Sequence, residues 1–449
     1  PEQHIPGRVT MSPAKGIDTV TTDGTAAGEL GAFIDRSPTP FHAVAQAAAL
    51  LADAGSTPLD PTAEWGADDA AGAAFVVRDG SLVAWGPSTD PTGPMRLIGA
   101  HTDSPNLRVR PRPDTGAAGW RQVGVEVYGG ALLNSWLDRD LGLAGRVAVR
   151  GGPDGIVHRA FRTDEPVLRV PQLAIHLDRG VNEGLSLNPQ QHLIPVWGLG
   201  DPHEGDVAAW LASLVDAAPA DVLGWDAACF DVQPSALLGV DAELLAAPRL
   251  DNLCSSWGAV QALLAAAAAP PPPQVPVVVL YDHEEVGSTT ATGAAGAWLA
   301  QVLERRSAAL GSGRPEFLRT LAGSVLLSAD MAHATHPNYP ERHEPRHWIR
   351  AGGGPVIKHN VNARYATDSR GAAWFRLACA AADVPVQDYS HRGDLPCGST
   401  IGPLAAAGLA VDTVDMGMGM LSMHSARELM AAADVELQDR AFTAWFTAP

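Results

Sequence analysis

Cysteine is scarce in this 449-residue chain: Cys229, Cys254, Cys379 and Cys397 are the whole complement, and no two stand in a CxxC pair. Cysteines so few and scattered cannot staple a chain of this length or build a thiolate zinc site, which points to a reducing, cytoplasmic setting. Basic charge is short as well. Thirty-one Lys and Arg against 50 Asp and Glu leave a formal charge of -19, which disfavours the long-range attraction to phosphate on which non-specific nucleic-acid binding rests. Nucleic acid and acidic membranes are therefore not expected partners. Long apolar runs are missing too: the longest small-residue stretch, 263–269, stops at four consecutive prolines, short of the ~18 residues of a spanning helix. The first 22 residues are polar and carry no apolar stretch or small-residue cleavage site, so they read as a loose tail.

What is present is a globular composition. With 46% hydrophobic and 18% charged residues, global disorder is excluded, and the length sets a prior of two or three domains at about 150 residues each. Thr39 and Pro40 look like the cap and first residue of a helix on which Phe41, Val44, Ala48 and Leu51 recur at helical spacing. Strand patterns follow over 74–77, 82–85 and 95–100, the last running into His101, Thr102 and Asp103. Between 109 and 245 the texture turns to short β-like pieces, at 122–128, 145–149, 156–161 and 167–170, with one helical piece at 207–215. After Arg249 alternation returns: a helix over 252–269, a β-branched strand over 275–281, strands at 324–329 and 410–414, and helices at 295–309, 370–382 and 426–438. The predicted fold is α/β, a mostly parallel central sheet flanked by helices, built from 23–108 and 246–449 and interrupted by an inserted β-rich domain over 109–245.

In such a sheet, loops at the carboxyl ends of the strands build the ligand site. Here those loops are rich in metal-ligand side chains: His101 and Asp103 after one strand, Asp282, His283, Glu284 and Glu285 after the next, then Asp330, and His424 beyond the last, with Asp251 at the start of a helix. Any one of these has a plainer reading, and Asp251 alone is most simply a helix cap. Five separate segments placing such residues at one end of one sheet point instead to a carboxylate-rich metal centre. Imidazole with carboxylate suits zinc first, then manganese or cobalt, while calcium and magnesium prefer oxygen alone. Two histidines and three or more acids exceed the needs of one tetrahedral ion and match two divalent ions per chain. In the Glu284-Glu285 tandem, one carboxylate can bind metal while its neighbour serves as general base, and Asp103 can hold the His101 tautomer.

Lysine is nearly absent, with only Lys15 and Lys358. Lys358 lies in a strand-like segment rather than on a solvated helix, and its compact charge suits an acidic side chain in a substrate pocket. Net acidity does not veto this, because a cation within a few ångströms outweighs surface charge beyond a Debye length of about 8 Å. His333 and His336, just after Asp330, are candidate substrate contacts. Tyr365 and Asp368 stand near Lys358 as further pocket candidates. The segment 398–403 reads as a plain helix start, with anion binding as the alternative.

The segments AHTDSP from Ala100, RLDN from Arg249, DHEEVGS from Asp282, ADMAHATHPNY from Ala329 and MGMGMLSMHSARE from Met416 resemble aspartyl aminopeptidases, a family of dinuclear zinc exopeptidases. The likeness runs from about residue 42 to about residue 432. It implies a zinc exopeptidase-like catalytic domain with His101, Asp251 and Asp330 on one metal, Asp251, Glu285 and His424 on the other, and Glu284 as general base. It further implies peptide substrates with an acidic N-terminus and a homo-oligomer, commonly a dodecamer built from dimers. In that assembly the insert makes the dimer contacts and a neighbour's histidine reaches the site. His176 is the matching position, although from the residues alone a histidine in an apolar run reads as a core residue. The alternatives are a dinuclear aminopeptidase or deacylase of neutral or broader specificity, and an inactive assembly protein. Filled ligand and base positions weigh against the last.

Overall fold

A nine-stranded sheet is the spine of the chain in the computed structural model, which describes residues 24–448. The tail expected over 1–22, with Lys15, lies outside the described residues. At the centre, Val275–Tyr281, Met95–His101, Val325–Ala329 and Asp412–Gly417 run parallel, each hydrogen-bonded to the next. Of the eight neighbouring pairs in the sheet five are parallel and three antiparallel, which makes it the mostly parallel sheet that the sequence predicts. Val275–Tyr281 is buried at every position, as its unbroken apolar pattern requires of a strand covered on both faces.

Alternate residues send side chains to opposite faces, and each face has its own helical cover. Ile98, Val278, Leu327 and Val414 share one cluster with Leu253 and Trp257 of the helix Leu250–Ala268 and with Phe442 and Trp445 of the helix Ala433–Thr447. Their neighbours Leu97, Val277 and Leu326 pack on the other side against Trp298, Phe317 and Ile401, from the helices Trp298–Ala309, Arg314–Ala322 and Ile401–Leu409. Each such buried aliphatic contributes roughly 1.5–3 kcal/mol relative to an exposed one, so the sheet's position is heavily over-determined. The helix Pro40–Asp53 forms as expected, but Thr39 does not cap it through its side chain. Its hydroxyl is 2.7 Å from Nδ1 of the buried His42.

The insert is built on a six-stranded sheet in which every pairing is antiparallel: Ile156–Arg162, Leu141–Arg150, Val222–Asp231, Asn106–Ala117, Trp120–Tyr128 and Val196–Leu199, in spatial order. Val207 and Leu211 of the helix Asp206–Leu214 pack into its core with Leu107, Val125, Leu143 and Phe161. The strand expected over 167–170 is reduced to isolated bridges through Leu168, Arg169 and Val170. Pro166 and Pro171 bracket it, and proline has no N–H with which to extend a ladder.

A third, five-stranded sheet joins Ala236–Leu238, Leu244–Ala247, Glu428–Ala431, Gly419–Leu421 and Ala332–His333. It corrects one expectation: the helix read over 426–438 starts as the strand Glu428–Ala431, and the helix itself is Ala433–Thr447. The last central strand also starts later than expected, at Asp412, because Ala410 sits in the left-handed region as the C-cap of Ile401–Leu409.

Candidate active site

The carboxyl ends of the central strands converge, and with them the residues that carry chemistry. His101 is the last residue of its strand and Asp103 lies two beyond. Glu284 and Glu285 sit in a short 3-10 turn that follows Val275–Tyr281 after His283 adopts a left-handed conformation. Asp330 directly follows Val325–Ala329, and His424, also left-handed, follows Gly419–Leu421. Asp251 enters from the side. Its backbone and that of Asn252 depart from helical geometry at the start of Leu250–Ala268, and its two carboxylate oxygens face the imidazoles of His101 and His424, so the capping reading of this residue does not hold.

Asp251 stands between the two histidines. Its Oδ1 is 3.4 Å from His101 Nε2 and its Oδ2 is 3.3 Å from His424 Nε2. His101 Nε2 is also 4.0 Å from Asp330 Oδ2, and His424 Nε2 is 3.4 Å from Glu285 Oε2. Among the described residues, three donor sets have ligand atoms within 4.8 Å of one another: His101, Asp251 and Asp330; Asp251, Glu285 and His424; and His101, Glu284 and Glu285. The first two share Asp251. Asp251 Oδ1 and Glu285 Oε1 are buried without a hydrogen-bond partner, a costly condition for a carboxylate unless a cation satisfies it. The donor chemistry and these orphaned oxygens fit a pair of divalent ions.

The charge balance of the cluster agrees with that fit. Burial, reinforced by Asp330, Asp251 and Asp103 and only partly countered by His101, pushes Glu284 up to about 8. Burial and the charge of Asp251 hold Glu285 well above the usual carboxylate range against the pull of His424 and His101. Burial works against a charged imidazole, yet the hydrogen bond to Asp251 and the charge of Glu285 raise His424 to about 10. His101 is likewise held well above an ordinary imidazole, burial being outweighed by Asp103 and Asp251. Asp251 itself goes the other way: despite burial, the hydrogen bonds and charges of His101 and His424 hold it well below the usual carboxylate range, so the protons sit on the two glutamates and the two imidazoles around it.

Several supports were not legible in the sequence. Glu428, fully buried, accepts from the backbone N–H of Asp251 at 3.0 Å and of His424 at 2.7 Å, tying two distant segments to one carboxylate. Asp103 accepts from the backbone N–H groups of Glu284 at 3.0 Å and Glu285 at 3.1 Å and from the Tyr128 hydroxyl at 2.7 Å. The carbonyl of Gly130 accepts from His424 Nδ1 at 3.0 Å, which leaves Nε2 turned toward Asp251. Apart from the His424–Glu428 bond, which spans four residues, these contacts join segments far apart in the chain, and no local pattern announces them.

The cluster floors an open cavity of about 220 Å³. Lys358, on the strand Val356–His359, lines it with only 3% of its surface exposed and its Nζ 3.7 Å from Asp330 Oδ1. Tyr365 and His333 line it too, with the Tyr365 ring centroid 5.4 Å from Nζ. Met331, Ala332, Met423 and Tyr389, which were not singled out from the sequence, line it as well, and so do Gly398, Ser399 and Thr400 of the segment 398–403. His336 is outside the lining: its Nδ1 accepts from Asn338 N at 3.2 Å and its ring packs on Tyr339. Asp368 is a helix cap, accepting from Gly371 N at 2.7 Å. Segment 398–403 is the plain helix start that was expected, capped by Thr400. His176 is exposed in a turn away from the cavity, not in a core.

Residues 33–446 match the family described as aminopeptidase I zinc metalloprotease (M18). A relative from Mycobacterium leprae (strain TN), named "Probable M18 family aminopeptidase 2", is 52% identical over 427 residues, 94% of this chain and 99% of that one. The chain in the cryo-EM structure of the Ape4 and Nbr1 complex is similar with a TM-score of 0.89 at 36% identity, over 94% of this chain and 85% of that chain. The S. cerevesiae mApe1 dodecamer structure is similar with a TM-score of 0.82 at 30% identity, over 94% and 96%.

Proposed function

The chain belongs to the aminopeptidase I zinc metalloprotease (M18) family and is thus a metal-dependent aminopeptidase; on that premise we propose that it releases acidic residues, Asp and also Glu, from the N-termini of peptides. Two divalent ions serve the reaction, zinc foremost with manganese or cobalt as alternatives. His101, Asp251 and Asp330 hold one, and Asp251, Glu285 and His424 the other. The observation that carries this assignment is the placement of Asp251 between His101 at 3.4 Å and His424 at 3.3 Å with one oxygen orphaned. When bound, the ions supply Lewis acidity toward the scissile carbonyl and the attacking water.

The chain's own groups do the rest. Glu284 lines the cavity, takes a proton from the attacking water and returns it to the leaving amine. Asp103 fixes His101 through its backbone carbonyl, 3.0 Å from Nδ1, so that Nε2 is left for a ligand bond. Lys358 receives the acidic side chain of the substrate. Its burial deepens the attraction, because little water screens a charge at the cavity wall. Tyr365 and His333 flank that ammonium.

Assembly into a homo-oligomer built from dimers through the insert belongs to the same reading, supported by the dodecameric mApe1 relative. His176, exposed among Leu173, Ile175 and Leu177, is then available to a neighbouring subunit's site. A cytoplasmic location is supported by four free cysteines, and among the described residues no helix is long and apolar enough to cross a membrane.

The direct test is metal content per chain together with hydrolysis of Asp, Glu, Leu and Lys amides before and after chelation. Two equivalents of metal, loss on chelation with recovery on zinc return, and fastest turnover of the acidic amides are expected. Faster turnover of leucine than aspartate rejects the specificity, and chelation without effect rejects the metal mechanism.

A further inference from the structure

The inserted sheet reaches the catalytic cluster along one short strap. Tyr128 ends the strand Trp120–Tyr128 and pairs with Asn106 across the insert's sheet. It is 8% exposed, and Arg108 lies over its ring at 3.6 Å. Its hydroxyl donates to Asp103 Oδ2 at 2.7 Å, and the two oxygens of that carboxylate accept the backbone N–H groups of Glu284 and Glu285. The strap then passes close to Glu285. Gly129 has φ +70°, and a Cβ there would lie 3.0 Å from Glu285 Cβ. Beyond it, Gly130 O takes the His424 Nδ1 bond and Leu132 N donates to His424 O at 3.0 Å. One run of the insert therefore touches both the glutamate turn and the histidine loop.

We propose that Tyr128 is a positioning residue: through Asp103 it sets the placement of the Glu284-Glu285 turn, so that the insert's sheet and the geometry of the base and ligand are one mechanical unit. The proposal rests on the reading of Glu284 and Glu285 given above. Without the phenol, Asp103 keeps the two backbone donors and His101 Nδ1 at 3.4 Å from Oδ1, but Oδ2 is left with the Glu285 N–H alone, so the side of the carboxylate that holds Glu285 is less firmly fixed. Gly129 is part of the same device, since a side chain there is strained by its positive φ and presses on Glu285.

The test is Tyr128→Phe in the full-length protein, which keeps the ring and removes only the hydroxyl, alongside Asp103→Asn and the double variant. Zinc affinity measured calorimetrically is expected to weaken about tenfold, and kcat on the Asp amide at saturating zinc to fall about 10–100-fold with KM within threefold of wild type. The double variant is expected to lose no more than Asp103→Asn alone, since both act through one carboxylate. Gly129→Ala is expected to weaken zinc binding in the same direction. Zinc affinity and kcat of Tyr128→Phe both within twofold of wild type, or losses that add in the double variant, overturn the proposal. A wild-type chain that binds zinc but hydrolyses no aminoacyl amide refutes the functional reading instead, and the zinc affinities still decide on Tyr128.

Discussion

Lys358 Nζ stands 3.7 Å from Asp330 Oδ1 at the wall of the catalytic cavity, so a cation proposed for substrate recognition is held by an acid proposed for metal binding. Loss of the ammonium is expected to affect acidic substrates far more than neutral ones. For Lys358→Ala, kcat/KM on Asp amide is expected to fall at least about 30-fold, the equivalent of about 2 kcal/mol, while Leu amide changes by less than threefold. Equal losses on the two amides would show that the lysine only neutralises Asp330.

Glu284→Gln separates the base from the ligands. The amide keeps the size of the side chain and cannot take a proton, so zinc content is expected to stay at the wild-type value while kcat falls on the order of 10²–10⁴-fold. Metal content by mass spectrometry and steady-state hydrolysis read the two quantities separately. Retained kcat rejects Glu284 as the base.

The pH dependence of the metal-free protein follows from its crowded acids. Glu284 is raised from an ordinary 4.5 to about 8 in the folded chain, so between those values the folded state binds more protons than the unfolded one. Its contribution to stability is present below about 4.5 and is lost as pH rises through 8. His424, raised from 6.5 to about 10, has the same sign, its contribution being present below 6.5 and lost as pH rises through 10. The melting temperature of the metal-free protein is accordingly expected to be lower at pH 8.5 than at pH 6. Zinc must displace these protons, so its affinity and the melting temperature it restores are both expected to increase with pH over the same range. A zinc affinity that does not change with pH contradicts this assignment of the protons.

Glu428 is expected to matter although it lines no part of the substrate cavity. In Glu428→Ala the buried N–H groups of Asp251 and His424 lose their acceptor, at a cost of about 1–3 kcal/mol each when left unsatisfied. Denaturant unfolding is expected to show this loss together with weaker zinc binding. Glu428→Gln, which retains one acceptor oxygen, is expected to recover part of both. Wild-type stability in the alanine variant would show that the two loops are fixed by other contacts.

Where the local pattern is strong, sequence and structure agree residue by residue. The strand over 275–281 is read to its ends because its β-branched run fits a strand covered on both faces. Helix 207–215 is found within one residue. Leu429, Met430 and Ala431 mislead because a short apolar run satisfies a helix stripe or a strand equally. Their partners Leu244–Ala247 are far away in sequence, and nothing local reports that pairing. The same limit explains Asp251, whose position before a helix looks like a cap until His101 and His424 are seen on either side.

By itself the sequence determined the alternation of elements and the kinds of side chain at the strand ends, since both follow from periodicity and from the chemistry of individual residues. Only the tertiary structure decided which of those side chains meet. It brought Glu428 under Asp251 and His424, Tyr128 onto Asp103, and Lys358 beside Asp330, while leaving His336 and Asp368 on their own loops. The reason is physical: contacts between segments far apart in the chain are set by how sheets and helices pack, and hydrogen-bond distances of about 3 Å are an outcome of that packing which no single stretch of chain encodes.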